Sequence, residues 1–144
     1  MKAGQLDLIS RVPATDIDAL KRDPKITVQT IDTVYVFNVE LDMRDKPPNV
    51  TAKDGSALEK NPLQDVRVRE AIDLAIDRKA LAEVAMEGLG KPVNQMVTPS
   101  IFGYNKSLGE RKYDPAAARK LLAEAGYPNG FRIQFSFTSG PSAR

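Results

Sequence analysis

Pro62-Leu63-Gln64-Asp65-Val66-Arg67-Val68-Arg69-Glu70-Ala71-Ile72-Asp73-Leu74-Ala75-Ile76-Asp77-Arg78-Lys79-Ala80-Leu81 carries the strongest helical pattern in the chain. Val68, Ala71, Ile72, Ala75 and Ile76 recur at 3.6-residue spacing, so they share one face of a helix expected over 65–87. Arg69, Glu70, Asp73 and Asp77 fall on the opposite face. Asp65 is placed to cap the helix, because a carboxylate there accepts from the unpaired amides of the first turn. Arg69 and Asp73 stand i,i+4, a pairing worth only a few tenths of a kcal/mol. Asp77 can cap in turn, which would break the helix and start a second one at Arg78, with Leu81, Val84 and Ala85 as its buried face. Gly88 suits the left-handed residue that ends such a helix.

Working outward, Asp114-Pro115 announces another helix, with an acid at the cap and proline in the first turn. Ala118, Leu121, Leu122 and Ala125 form its apolar stripe and Gly126 closes it. Phe131, Ile133, Phe135 and Phe137 then alternate with Arg132, Gln134 and Ser136, which predicts a strand with one apolar face. Between these helices, Leu89 to Lys112 is a loop punctuated by Pro92, Pro99, Gly103 and Gly109. Upstream, Met43 to Pro62 is a polar excursion of about twenty residues, a length usual for functional or mobile loops. Thr33 to Val39 is β-branched and aromatic on both parities, which predicts a strand buried on both faces. Ile26 to Thr30 reads as a strand and Gln5 to Ile9 as a short one. Thr15 is the expected cap of a helix carrying Asp16 and Asp18 in its first turn and Ile17 and Leu20 as its stripe; Asp23-Pro24 ends it.

The chain has 144 residues, among them no His and no Cys. A compact domain of that size would bury about 68–70% of its unfolded surface. The two absences exclude a Ser-His-Asp triad, an imidazole base, a thiolate nucleophile, a disulfide and zinc held by His or Cys. Paired carboxylates, carboxylate-held metal and Lys chemistry survive that filter. Lys and Arg number 21 against 19 Asp and Glu. Acids interleave the basic residues, so no nucleic-acid footprint arises. Lys106 to Arg144 is locally basic, with seven basic and three acidic residues, a pattern that a solvated surface accounts for. No apolar run approaches the roughly 18–20 residues that span a bilayer, and the first residues hold no hydrophobic signal core.

Individual motifs speak against catalysis. Glu87-Gly88-Leu89-Gly90-Lys91 lacks the first glycine and the hydroxyl residue of a phosphate loop, having Ala85 and Pro92 there, and its glycines close a helix instead of opening one. The acid pairs Asp16/Asp18, Asp73/Asp77 and Glu83/Glu87 sit on polar faces with cations nearby. Nothing beside Lys79 or Lys91 in sequence would depress an amine pKa. Asn49-Val50-Thr51 and Asn105-Lys106-Ser107 match a glycosylation sequon that many unmodified chains also carry. Tyr35, Phe37, Tyr104 and Tyr113 are candidates for lining a ligand cleft, with ordinary packing as the alternative.

Together these segments resemble the extracytoplasmic solute-binding proteins of peptide- and nickel-type ABC importers. The resemblance lies in Pro62 to Leu81, in Gly88-Leu89-Gly90-Lys91-Pro92 with the Pro99 to Asn105 loop, and in Tyr113-Asp114-Pro115 through Ala125-Gly126-Tyr127. Ala3 to Leu8 and Thr33-Val34-Tyr35-Val36-Phe37-Asn38 are similar to shorter family segments. The resemblance implies an α/β fold: part of a two-lobe periplasmic-binding architecture with a mixed sheet and packed helices. Residues 1–37 would end the first lobe and lead to the interlobe crossing, and 38–144 would begin the second, incomplete lobe. The final Phe131 strand either pairs back into the earlier sheet or has its partners elsewhere in a longer protein; the second is expected. Tyr35, Phe37, Asn38 and Tyr104 would be ligand-binding residues, and Asp65, Arg67, Arg69, Asp77, Arg78 and Asp114 structural ones. The implied role is extracytoplasmic capture of a small solute, a peptide first, and delivery to a permease. It implies no catalysis, cofactor, metal, nucleic acid or membrane insertion. The alternative is a stand-alone module that pairs with a partner through an exposed strand edge.

Overall fold

A computed structural model describes residues 4–137. In chain order α1 spans Ala14–Lys21, β1 Val50–Thr51, α2 Val66–Leu74, α3 Arg78–Ala80, α4 Pro115–Glu124 and β2 Arg132–Ile133. A 3-10 turn over Pro62–Gln64 leads into α2, and a π turn over Leu81–Ala85 prolongs α3. Each of three carboxylates opens a helix by accepting a backbone amide: Asp65 from Arg67 at 2.9 Å, Asp77 from Ala80 at 2.9 Å, and Asp114 from Ala117 at 2.9 Å. Gly126, at φ 90, ends the α4 segment in the left-handed region that a side chain would disfavour.

Val68 and Ala71 on α2 are fully buried against Ala118 of α4, with Leu63 from the 3-10 turn and Val50 from β1 completing the core. Leu41, Leu58, Ile72, Leu122, Tyr127 and Phe131 pack around it, and the rings of Tyr127 and Phe131 meet edge to face at 5.3 Å. The two main helices run antiparallel and are tied at both ends. Arg67 Nη1 donates to Glu124 O at 2.8 Å at one end, and the Asp114 amide donates to Leu74 O at 2.8 Å at the other.

The polar excursion is closed at its base by Asn61, which is buried. Its Nδ2 donates to Asp42 O at 2.8 Å and Arg44 O at 2.7 Å, while its Oδ1 accepts from the Leu63 amide at 3.0 Å. Gln64 adds a second stitch to Met43 O. The closure brings Val50 and Thr51 beside β2 in an antiparallel pair, with Val50 opposite Ile133 and Thr51 opposite Arg132.

Several expectations fail for identifiable reasons. Helix α1 begins at Ala14 with Pro13 at the cap position, and the Thr15 side chain caps nothing. Residues 5–9, 26–30 and 33–39 form no strand; a strand needs a neighbouring backbone for its amides and carbonyls, and no described backbone-to-backbone hydrogen bond reaches 27–46. Thr33 to Val39 is therefore exposed where burial on both faces was expected, Val36 alone being half-buried. Strand β2 stops after Ile133, leaving Phe135 and Phe137 exposed. The sheet is two-stranded and antiparallel among the described residues, not mixed.

The long helix does break at Asp77, but its continuation winds as a π turn with Leu81 and Val84 exposed, so their expected buried face has no neighbour. Arg69 donates to the carbonyls of Leu63 and Gln64. It is Arg78, beyond the break, that pairs with Asp73. Helix and small sheet do coexist in one unit, yet the accessible surface is 11730 Å², against about 7,300 Å² for a compact domain of equal mass. Only about half of the unfolded surface is buried, short of the 68–70% expected of a compact domain.

Two predictions test this scaffold by denaturant unfolding. Replacing Asn61 with Ala strands two carbonyls and an amide near the core and should cost about 1–3 kcal/mol. Asn61→Asp, which keeps the acceptor but sets a carboxylate oxygen against the Asp42 and Arg44 carbonyls, should cost at least as much as Asn61→Ala. Separately, the Arg67 side chain and then the Arg67 amide hold the Asp65 carboxyl at about 2, below its ordinary 3.8. A carboxyl depressed on folding stabilises the fold above its unfolded value, and that contribution is lost as pH falls from about 4 through about 2. Stability should therefore drop across that window less steeply in Asp65→Asn than in the parent.

Candidate functional site

The residues expected to meet a ligand lie on two segments. Ile31 to Val39 forms neither helix nor strand and is largely exposed, with Tyr35 at 77% and Phe37 at 68%. The Tyr35 amide donates to Thr33 Oγ1 at 3.4 Å, and Asn38 Nδ2 donates to Glu40 Oε1 at 3.5 Å. These contacts are local, so the aromatic pair is presented to solvent without being committed to the core.

Tyr104 belongs to the Leu89–Lys112 loop, half-buried, its amide donating to Ile101 O at 3.2 Å. Side-chain amides hold this loop in shape. Asn94 Nδ2 donates to the carbonyls of Leu108 and Gly109. Gln95 and Asn105 exchange two bonds of 3.0 Å through the Gln95 side chain and the Asn105 backbone. Asn105 Oδ1 in turn accepts from the amide and hydroxyl of Ser107. At the tip Phe102 is fully exposed. Asn94, Gln95 and Phe102 were not singled out from sequence; Asn and Gln in a proline- and glycine-rich loop give no local sign of which distant carbonyl they will meet.

No described ring contact brings Tyr104 to Tyr35 or Phe37. Two open concavities occur, one of 320 Å³ over β1 and β2 and one of 220 Å³ beside Asn94 and Leu108, and none of the four candidates lines either. Tyr113 is exposed ahead of α4.

Several of the ionisable groups are engaged in helix caps and ion pairs. Asp65 and Asp77 cap helices, and Arg67 bridges Asp65 to the end of α4. Asp73 is taken by Arg78 and, at 3.6 Å, by Arg111. Lys79 faces Glu110 at 3.5 Å and Lys91 faces Asp32 at 2.5 Å. The Asp42 carboxyl, held by the Arg44 guanidinium, sits at about 2, and that of Asp54 is lowered by the Ser56 hydroxyl. All three shifted carboxylates are thus stabilised in the charged form, the opposite of what a proton-donating acid requires. What this surface offers a small molecule is aromatic area and amides.

Residues 1–144 match the family model described as bacterial extracellular solute-binding proteins, family 5, middle region. Heme-binding protein A of Haemophilus influenzae is 36% identical over 139 residues, covering 94% of this chain and 22% of its own length. Glutathione-binding protein GsiB of Escherichia coli is 39% identical over 131 residues, 91% of this chain and 22% of the relative. Di/tripeptide-binding protein 1 of Pseudomonas aeruginosa is 28% identical over 133 residues, 92% of this chain and 22% of the relative. The chain thus spans about a fifth of the length of the curated relatives it matches. By its match along all 144 residues, the chain belongs to the family 5 bacterial extracellular solute-binding proteins.

Proposed function

We propose that this chain is part of the extracytoplasmic binding component of an ABC importer, which captures a peptide-like solute between two lobes and hands it to a membrane permease. The observation that carries the reading is the family match over residues 1–144, joined by relatives named for heme, glutathione and di/tripeptides. Glutathione is itself a tripeptide, so two of these three names point to short peptides. Capture by hinge closure needs a shaped, partly aromatic cleft and no nucleophile, which agrees with a chain lacking His and Cys and with carboxylates engaged in caps and ion pairs. No described helix is long and apolar enough to cross a membrane.

The burial pattern supports a division near residue 37. No described residue before Pro47 is buried, and Leu41 is the first to pack on the core. Residues 1–37 are read as the end of one lobe, Tyr35 to Asn38 as the crossing, and 38–144 as the start of the second lobe. The outward apolar side chains of the crossing, of the π turn after α3 and of Phe135 and Phe137 are then surfaces that the rest of a longer protein covers. Tyr35, Phe37, Asn38 and Tyr104 would face the solute, with Asp65, Arg67, Arg69, Asp77, Arg78 and Asp114 fixing the helices behind them.

One observation favours a second reading. The open edge of β2, with Phe135 62% and Phe137 78% exposed, could take a partner strand. Small-angle scattering on the full-length protein separates the two. Compaction on adding glutathione, a tripeptide or heme is expected for capture, and its absence with all three would remove that reading. In the same protein, Tyr35→Ala and Phe37→Ala should each weaken binding about tenfold, the worth of a lost aromatic contact. Calorimetric titration reads this directly, and unchanged affinity in both variants would remove the crossing from the cleft.

A further inference from the structure

Residues 94–109 close on themselves. Asn94 Nδ2 donates to the carbonyls of Leu108 and Gly109, and Gln95 exchanges two bonds of 3.0 Å with the Asn105 backbone. These bonds fix the shape of the segment that carries Tyr104, but not its place on the helices. Among the described residues, two contacts tie 94–111 to the rest of the chain by hydrogen bond or ion pair: Glu110 on Lys79 at 3.5 Å and Arg111 on Asp73 at 3.6 Å. Lys79 and Glu110 are both more than 70% exposed, so their pair holds little. The Asp73 side chain is 28% exposed and is already engaged before Arg111 reaches it.

That prior engagement is with Arg78, the first residue of α3, which folds back across the break at Asp77. Its Nη1 donates to Asp73 O at 3.1 Å and its Nη2 to Asp73 Oδ1. A planar fork with one arm on the backbone and the other on the side chain of the same residue fixes how that carboxylate stands. Its other oxygen, Oδ2, is the one that Arg111 meets. Just beyond, the Asp114 amide donates to Leu74 O at 2.8 Å. The stem of the loop is thus laid along the end of α2 at two successive points, and Asp73 holds the one nearer to 94–109.

We propose that Asp73 is a positioning residue for solute binding: fixed by Arg78, it holds Arg111 and so sets where the 94–109 segment and its Tyr104 stand relative to α2. The proposal rests on the reading above in which Tyr104 faces the solute. It adds to that reading a residue that the sequence places only on a polar helix face, and that does not itself touch the solute. Three charges joined in one network hold a geometry that an isolated exposed pair would not.

The test uses the full-length protein with Arg111→Gln, which leaves the Asp73–Arg78 pair in place, with Asp73→Asn, and with Arg111→Lys as the conservative variant. Spin labels on Glu70→Cys in α2 and Lys106→Cys in the loop report the position of the segment as a distance distribution. That distribution should broaden or shift in Arg111→Gln and in Asp73→Asn. Calorimetry should show both binding glutathione about two- to fivefold more weakly, the reach of one partly exposed pair. Arg111→Lys should return both readouts toward the parent, and Arg111→Gln added to Asp73→Asn should weaken binding no further than Asp73→Asn alone. Unchanged distances in both single variants, or changed distances at unchanged affinity, would overturn the positioning role. A parent that binds none of glutathione, a tripeptide and heme would remove the capture reading and this role together, whereas a parent that binds glutathione, with variants that match it, would remove the role alone.

Discussion

The fold depends on the guanidinium of Arg67. Its Nη2 sits 2.6 Å from Asp65, the residue that caps α2, and its Nη1 reaches the carbonyl of Glu124, the last residue of α4. One side chain thereby holds the carboxylate that accepts at the beginning of one helix and itself satisfies a carbonyl at the end of another, positions where four backbone groups each have no partner within their own helix. With the Asp114 amide on Leu74 O at the opposite end, the two helices are fixed antiparallel and in register. Val68, Ala71 and Ala118 can then meet with little room for a larger side chain. Lysine in place of Arg67 could hold only one of these partners in fixed geometry, since it lacks the planar fork.

Everything else hangs from that helix pair. Asn61 closes the excursion onto it, the excursion supplies β1, and β1 gives β2 its partner. The chain of dependence is short, and so is the core it builds. Large apolar side chains at Tyr35, Phe37, Leu81, Val84, Phe102 and Phe137 remain in water. Each would gain on the order of 1.5–3 kcal/mol if buried, so the surfaces that carry them are places where further protein or a ligand is favourable.

Function follows the same division of labour. Asp65, Asp77, Asp114 and Arg67 stabilise helix ends, while the rings of Tyr35 and Phe37 stand in solvent and the 89–112 loop is held in shape by amides. The family to which the chain belongs is that of the bacterial extracellular solute-binding proteins. The strained π turn and left-handed Glu87 lie outside the core, where their cost is not repaid by packing.

The helix ends were legible in the sequence because a cap is a contact within three residues: Asp65, Asp77 and Asp114 each meet an amide two or three positions on. The break at Asp77, the closing Gly126 and the solute-binding family were legible for similar reasons, being carried by short, ordered motifs. Strands were not, because Thr33 to Val39 has every local preference for a sheet and no described neighbour to pair with. The apolar face of Leu81 and Val84 misled in the same way, since periodicity marks a surface that could be buried and says nothing of what covers it. Only the tertiary structure decided that Asp73 takes Arg78 over Arg69, that Asn61 grips Asp42 and Arg44, that Arg67 reaches Glu124 and that Lys91 meets Asp32. Most of those partners stand 17 to 59 residues apart. At such separations chain entropy leaves the choice open until the core has packed.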